Sequence, residues 1–213
     1  MEFPTYYIFV CVPMQKRPVI LKGTKVALGP LIKEDLERLW FWVNDKEVTQ
    51  YLAMHPTVYP LESERTWLEN VLRGEDKNNI IFAILLLPEL EHVGNVGLHS
   101  IDRFNRNAEL GIMIGAKEHW NKGYGTEAII LALDYAFNIM DLKVVRLRVY
   151  EFNRRGIRCY EKVGFKHVGR LRKHLYRGGK WWDVLLMDIT REEFNSLHKS
   201  IAKTICKDVF KEE

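Results

Sequence analysis

The sequence predicts a mixed α+β domain built on a mostly antiparallel, twisted sheet of about seven strands with helices packed against it. Three observations carry this. Residues 80–87, 93–101 and 108–115 form three strand-like runs in succession, separated by loops rich in Pro, Glu, Asn and Arg, the pattern of an antiparallel meander. Thr126 to Met140 then reads as a long helix that is apolar over a wide arc. At 213 residues, with 47% hydrophobic and 28% charged residues, the chain is long enough for one substantial core and has an ordinary globular composition.

The elements follow in order. Residues 1–24 differ from the rest: an aromatic, apolar start gives way to Met14-Gln15-Lys16-Arg17-Pro18, so Met14 is an alternative start and the segment an N-terminal extension, either a disordered tail or an added edge strand. The main domain is expected over 25–190. Lys25 to Leu31 alternates as a first strand. Lys33-Glu34-Asp35 opens a helix whose Leu36, Leu39, Trp40 and Val43 fall on one side. After Pro60 a second helix runs from Leu61 to Arg73, with Trp67, Leu68, Val71 and Leu72 expected inward. Beyond the meander and the long helix, Val144 to Tyr150 is a strand. Arg154 to Val163 is a helix closed by Gly164 as a left-handed cap. Phe165 to Tyr176 and Trp181 to Ile189 are two strands joined by the hairpin Arg177-Gly178-Gly179-Lys180. Residues 191–213 read as a polar, mostly helical tail.

Composition narrows the class. The longest apolar stretches, Phe3 to Pro13 and Ile80 to Pro88, fall short of the ~20 residues that span a bilayer. The first also lacks the basic leader and cleavage site of a signal peptide. Cys11, Cys159 and Cys206 have no metal-ligand spacing and leave one unpaired, which points to a reducing cytoplasm and argues against a structural zinc site. A net charge of +4 favours an acidic ligand and is too small to argue for nucleic acid. Basic residues concentrate between Arg146 and Lys173, where a solvated face and a functional patch compete as readings.

The chemical signal lies in Trp120-Asn121-Lys122-Gly123-Tyr124-Gly125-Thr126-Glu127-Ala128. Glycines ahead of a helix let successive N–H groups converge on one concavity, and the helix adds its unpaired amides and positive dipole end. That is an anion cradle. Preceded by the strand Ala108-Glu109-Leu110-Gly111-Ile112-Met113-Ile114-Gly115 and followed by Asn153 and Tyr160-Glu161-Lys162-Val163-Gly164-Phe165, the run resembles the GNAT superfamily of acetyl-CoA-dependent N-acetyltransferases. It looks most like the branch that contains the ribosomal-protein N-terminal acetylases. The resemblance covers residues 25–190. Trp120 stands where that family usually carries Gln or Arg.

The resemblance implies a GNAT fold with its sheet splayed between the fourth and fifth strands. It implies that amides of Asn121, Lys122, Gly123, Tyr124, Gly125 and Thr126 hold the CoA pyrophosphate, with Lys122 adding charge or remaining solvated. The pantetheine arm would pair with main chain at Ile112, Met113 and Ile114, and Asn153 would contact it as well as cap its helix. Tyr160, two turns beyond Asn153 on nearly the same helix face, is the candidate general acid for the leaving thiolate, against the alternative of a core tyrosine. Glu109 is the candidate base, directly or through water, unless a desolvated pocket lowers the amine pKa by itself. A backbone N–H near Met113 would support the developing oxyanion. His119, Asp183 and Tyr176 are set aside as structural, and Cys159 as core. No metal is expected.

Direct transfer from acetyl-CoA to a primary amine, a protein N-terminus or a small molecule, follows. Two rivals remain. Gly123 to Ala128 also fits a dinucleotide fingerprint, although that motif should follow its strand at once. A non-catalytic scaffold binding acyl-CoA, or docking on RNA through the basic block, is the other. The acceptor wall would come from residues 45–60 and 176–182. Consecutive Trp181 and Trp182 must point to opposite faces, one buried and one available to substrate or to a homodimer partner.

Overall fold

The computed structural model describes residues 17–53 and 57–202. Cys11, Met14, Cys206 and the ends of the expected extension and tail lie outside the described residues, as do residues 54–56 of the expected acceptor wall. One sheet of eight strands organises the chain. Its strands are β1 (Leu21–Lys22), β2 (Val26–Gly29), β3 (Ile80–Leu86), β4 (Glu91–Asp102), β5 (Asn107–Ile114), β6 (Val144–Tyr150), β7 (Lys166–Arg177) and β8 (Lys180–Thr190). They lie in the order β1-β2-β3-β4-β5-β6-β8-β7. The additional strand is the two-residue β1, which pairs antiparallel with β2 and buries Leu21.

Every pairing is antiparallel except β5 with β6. That parallel ladder holds only Asn107 to Val144, Ala108 to Val145 and Glu109 to Arg146. Beyond it β6 stays paired to β8 up to Tyr150, while β5 stays paired to β4 up to Ile114. The two strands therefore diverge from Glu109 onward, and the sheet splits into a wedge.

Helices cover the split sheet. They are α1 (Leu36–Asn44, entered by a 3₁₀ turn at Lys33–Asp35), α2 (Lys46–Thr49), α3 (Leu61–Arg73), α4 (Tyr124–Asn138), α5 (Arg154–Val163) and α6 (Arg191–Leu197). Helix α4 crosses β2, β4, β5 and β6, with Ala128, Ile129, Leu131, Ala132 and Leu133 buried, and Tyr135 meets Phe82 of β3 edge-on at 5.0 Å. It starts two residues before the expected Thr126, and Ile139, expected inward, lies past its end with 46% exposure. Short α2 was not anticipated; the Asp45 side chain caps it by accepting the Glu47 N–H. In α3 the buried side chains are Leu68 and Glu64 one turn earlier, whereas Trp67 and Leu72 face out at 36% and 37% exposure. The inward face of α3 is thus set a residue away from the most apolar arc. In α1, Trp42 takes the buried place and Trp40 is half-buried, its Nε1 donating to the Tyr59 carbonyl at 2.7 Å.

Gly164 closes α5 with φ of 114°, and Gly178 and Gly179 turn the β7–β8 hairpin with φ of 60° and 76°. Among the described residues no helix is long and apolar enough to cross a membrane, and no group of His, Cys, Asp or Glu could hold a metal ion.

Candidate active site

The wedge opens into a cleft of about 350 Å³. Its floor is Ile112, Met113 and Ile114 of β5; one end is Asn121, Gly123, Tyr124, Gly125 and Thr126. Helix α5 supplies Asn153 and Tyr160, and α2 with the turn after it supplies Val48, Tyr51 and Leu52. The expected site residues are therefore brought together, except Lys122 and Glu109, which are absent from the lining.

The cradle end has a distinct backbone. After a 3₁₀ turn at Lys117–His119, Asn121 and Gly123 take left-handed conformations with φ of 61° and 86°, and α4 begins at Tyr124. Gly125 and Thr126 thus belong to the first helical turn rather than to a loop. The first intrahelical donor in this region is the Glu127 N–H, bonded to the Gly123 carbonyl at 3.1 Å. Among the described residues no group accepts from the amides of Asn121 to Thr126. Six consecutive donors without a protein acceptor thus sit at the positive end of a fifteen-residue helix, an arrangement suited to an anion.

Main-chain polarity decides which floor residues face the wedge. Gly115 N–H donates to Val93 on β4 at 3.0 Å, whereas the Ile114 carbonyl accepts Trp120 Nε1 from the other side at 2.8 Å. Because successive residues of a strand direct their N–H and C=O to alternate sides, Ile112 and Ile114 present their backbone to the wedge and Met113 presents its own to β4. The backbone N–H that faces the wedge in this stretch is that of Ile112, adjacent to Met113. Trp120, in the unusual position of the glycine motif, both fixes the end of β5 and carries the Arg155 guanidinium 3.8 Å from its ring; Tyr51 stands 5.3 Å away on that same guanidinium. Burial lowers the Arg155 pKa.

Asn153 caps α5 by accepting the Gly156 N–H at 2.9 Å, and a side chain on Gly156 would strike it, its Cβ lying 2.6 Å from Nδ2. Tyr160 is 8% exposed and packs edge-on to Phe165 at 5.9 Å. Its hydroxyl has no hydrogen-bond partner among the described residues, and burial pushes its pKa well above the ordinary phenol value. It is thus both a core ring and a cleft-lining hydroxyl. Glu109 sits elsewhere: it accepts from Arg148 at 2.7 Å, with Arg146 at 3.7 Å, beside the closed end of the split. Its carboxylate is thus ion-paired and does not line the cleft.

Several lining residues were not foreseen. Cys159 reaches the cleft, its Sγ 3.3 Å from Thr126 Oγ1, and burial raises its pKa. Arg155, Arg158 and Lys162 join it on one helical face of α5, a stripe that a wheel through positions 155, 158, 159 and 162 marks. His119 lines the cleft with its ring 5.8 Å from Tyr124. Val48, Tyr51 and Leu52 line the cleft from the segment expected as acceptor wall, residues 45–60. Asp183 accepts from the Lys173 amide at 2.8 Å, and Tyr176 is 59% exposed against Trp181, so both remain outside the site. Of the tryptophan pair, Trp181 is the outward one at 61% exposure, while Trp182 packs on Phe152 at 5.0 Å.

A sheet split between two parallel strands, with an anion cradle at the end of the split and an aliphatic floor, defines a transferase that holds a phosphorylated carrier along the wedge. The acetyltransferase (GNAT) domain family model matches residues 25–166, and the chain belongs to that family. It is an acetyl-CoA-dependent N-acetyltransferase. A spermidine N(1)-acetyltransferase of Vibrio cholerae is 35% identical over 172 residues, covering 81% of this chain and 96% of that protein. A putative ribosomal N-acetyltransferase of Bacillus subtilis, YdaF, is 28% identical, covering 78% and 86%. The crystal structure of the Vibrio cholerae spermidine N-acetyltransferase in complex with CoA and spermine superposes with a TM-score of 0.75 at 26% identity, covering 81% of this chain and 99% of that one. The dinucleotide reading falls with this: a 3₁₀ turn separates the glycines from their strand, and that strand lies in an antiparallel ladder.

Proposed function

We propose that the protein transfers acetyl directly from acetyl-CoA to a small-molecule primary amine in a ternary complex within the wedge. The observation that carries the reading is the run of amides from Asn121 to Thr126 without protein acceptors, five of whose residues line one end of a cleft, with a Tyr160 hydroxyl without a partner along its wall. Cradle and residues fit the carrier: the amides of Asn121 to Thr126 suit a diphosphate, Arg155, Arg158 and Lys162 add positive charge, and Ile112 to Ile114 suit an apolar arm. When bound, acetyl-CoA supplies an acyl group already activated as a thioester.

The protein's own groups do the rest. The Ile112 N–H faces the wedge and is available to a carbonyl oxygen that gains negative charge. Tyr160, kept protonated by burial, is the proton donor to the departing sulfur. No carboxylate lines the cleft among the described residues, so the amine loses its proton by desolvation against Val48, Tyr51 and Leu52 or to water. Orientation of the two substrates supplies much of the rate.

The acceptor class rests on the relatives, two of which are a spermidine acetyltransferase and a putative ribosomal one. The apolar acceptor wall favours a small amine. A protein N-terminus is the second acceptor to test. RNA docking is disfavoured because the basic block is divided: Arg155, Arg158 and Lys162 enter the cleft, Arg146 and Arg148 pair with Glu109, and Arg170 with Asp183. We place the activity in the cytoplasm, and assign any homodimer contact to the exposed Tyr176–Trp181 pair, which the mass of the protein in solution tests. Initial-rate kinetics over both substrates check the mechanism. Intersecting reciprocal lines are expected; parallel lines with an acetylated protein that turns over at a competent rate would overturn direct transfer.

A further inference from the structure

We propose that the turn between β1 and β2 is a second wall of the phosphate cradle, and that Lys25, positioned there by Glu127, is a cationic ligand of the acetyl-CoA diphosphate. The proposal rests on the cradle reading above and extends it to a part of the chain that carries no glycine motif.

Glu127 belongs to the run that begins at Trp120, yet it does not line the cleft. From the first turn of α4 its carboxylate reaches the β1–β2 turn, about a hundred residues away in sequence. Oε1 accepts from the Thr24 N–H at 2.8 Å and the Thr24 hydroxyl at 2.6 Å. Oε2 accepts from the amides of Lys25 at 2.8 Å and Val26 at 2.9 Å. Four donors therefore occupy both oxygens. The approach is close enough that a Cβ on Gly23 would stand 2.8 Å from Glu127 Cδ. Burial pushes this carboxyl upward, but the hydroxyl and amides outweigh it and hold it below its ordinary pKa.

Two consequences follow for the cradle. A carboxylate in the first turn of a phosphate-binding helix opposes a second anion there, and tying both of its oxygens to the turn spreads that charge over fixed dipoles. The same clamp fixes the Lys25 backbone, so its side chain emerges beside the cradle. Nζ lies 3.4 Å from the Lys122 carbonyl and 3.5 Å from the point where a Cβ on Gly123 would stand. Among the described residues Lys25 has no carboxylate partner. A compact ammonium at the lip of six free amides is the arrangement that neutralises a diphosphate as a point charge.

Calorimetric titration with acetyl-CoA tests this. Glu127 bonds the Lys25 amide and not its ammonium, so Lys25→Ala leaves the clamp intact. It is expected to weaken acetyl-CoA binding about tenfold at low salt, equivalent to about 1.4 kcal/mol, with the difference shrinking as ionic strength rises. Lys25→Arg should restore most of the affinity, and kcat at saturating acetyl-CoA should change less than KM. Dephospho-CoA should suffer the same loss, because the contact is to the diphosphate. Glu127→Gln loosens the clamp that places Lys25, so Lys25→Ala should cost less in that background than in the wild type. Unchanged affinity in Lys25→Ala, a loss that disappears with dephospho-CoA, or additive effects would each overturn the proposal. Gly125→Val separates the two layers of the argument. If it binds acetyl-CoA normally, the cradle reading itself fails; if it loses binding while Lys25→Ala does not, only the lysine assignment fails.

Discussion

Replacing Gly125 by valine is the sharpest perturbation of the cradle, because the geometry separates its effects on folding and on binding. A Cβ at this position would lie 3.7 Å from Ile114 Cγ1 and 3.8 Å from Ile112 Cδ1, ordinary contact distances, so the protein itself makes room. Gly125 lies inside the first turn of α4 and does not need a left-handed conformation; valine there is favoured over glycine by a few tenths of a kcal/mol on helix propensity. The thermal midpoint without ligand should therefore hold or rise slightly. The new methyl groups project into the cleft over the amides of Gly125 and its neighbours. Losing two charge-assisted bonds at ~1.5–3 kcal/mol each would cost ~3–6 kcal/mol, a Kd increase of roughly 10²–10⁴-fold. Calorimetry gives the Kd directly, and melting with and without acetyl-CoA gives it by linkage, as the ligand-induced shift should vanish. A folded variant with wild-type affinity would refute the assignment of these amides to the diphosphate.

Tyr160→Phe should lower kcat by ~10²-fold with acetyl-CoA affinity nearly kept, read by steady-state kinetics and calorimetry; full activity would leave Tyr160 a packing residue. Burial raises the Tyr160 pKa, so the hydroxyl stays protonated over a wider range than a free phenol: kcat/KM should climb with pH toward the amine's own pKa and show no fall below about pH 10. Glu109→Gln should keep activity within about threefold, because its carboxylate is committed to Arg148 and lies outside the cleft lining; a loss comparable to that of Tyr160→Phe would reinstate it as the base. Glu64 is 7% exposed on α3 and burial raises its pKa. Its charged form is penalised only in the folded state, a penalty absent below its unfolded pKa and complete above its folded one. Glu64→Gln should therefore raise the thermal midpoint at pH 7 and not near pH 4, measured by melting at both values.

The parts legible in the sequence were those whose partners are close along the chain. The meander over β3, β4 and β5, helix α5 with its Gly164 cap, and the β7–β8 hairpin each carry their own signals of periodicity, cap and turn, and the structure places their ends within a few residues of expectation. That the glycine run and the Asn153–Tyr160 face meet at one cleft was legible for that reason too. What was not legible depends on distant segments. Four-residue α2 is too short for any periodicity, yet it brings Val48 and Tyr51 to the cleft. In α3 a hydropathy stripe placed Leu68 inward as found, but pointed Trp67 and Leu72 inward too and gave no sign that Glu64 is buried. Glu109 carried a plausible strand position, but only the β5–β6 register reveals Arg146 and Arg148 beside it. The Glu127 clamp on the β1–β2 turn joins residues about a hundred positions apart, beyond the reach of any local pattern.

This wedge moves acetyl from acetyl-CoA to a primary amine. The direct measurement is thiol release from acetyl-CoA across a panel of small primary amines and N-terminal peptides, paired with mass analysis of the acceptor. The account predicts amine-dependent release, one thiol per N-acetylated product, strongest with a small amine and lost in Gly125→Val. Release that no amine stimulates, from a protein that still binds acetyl-CoA, would contradict it.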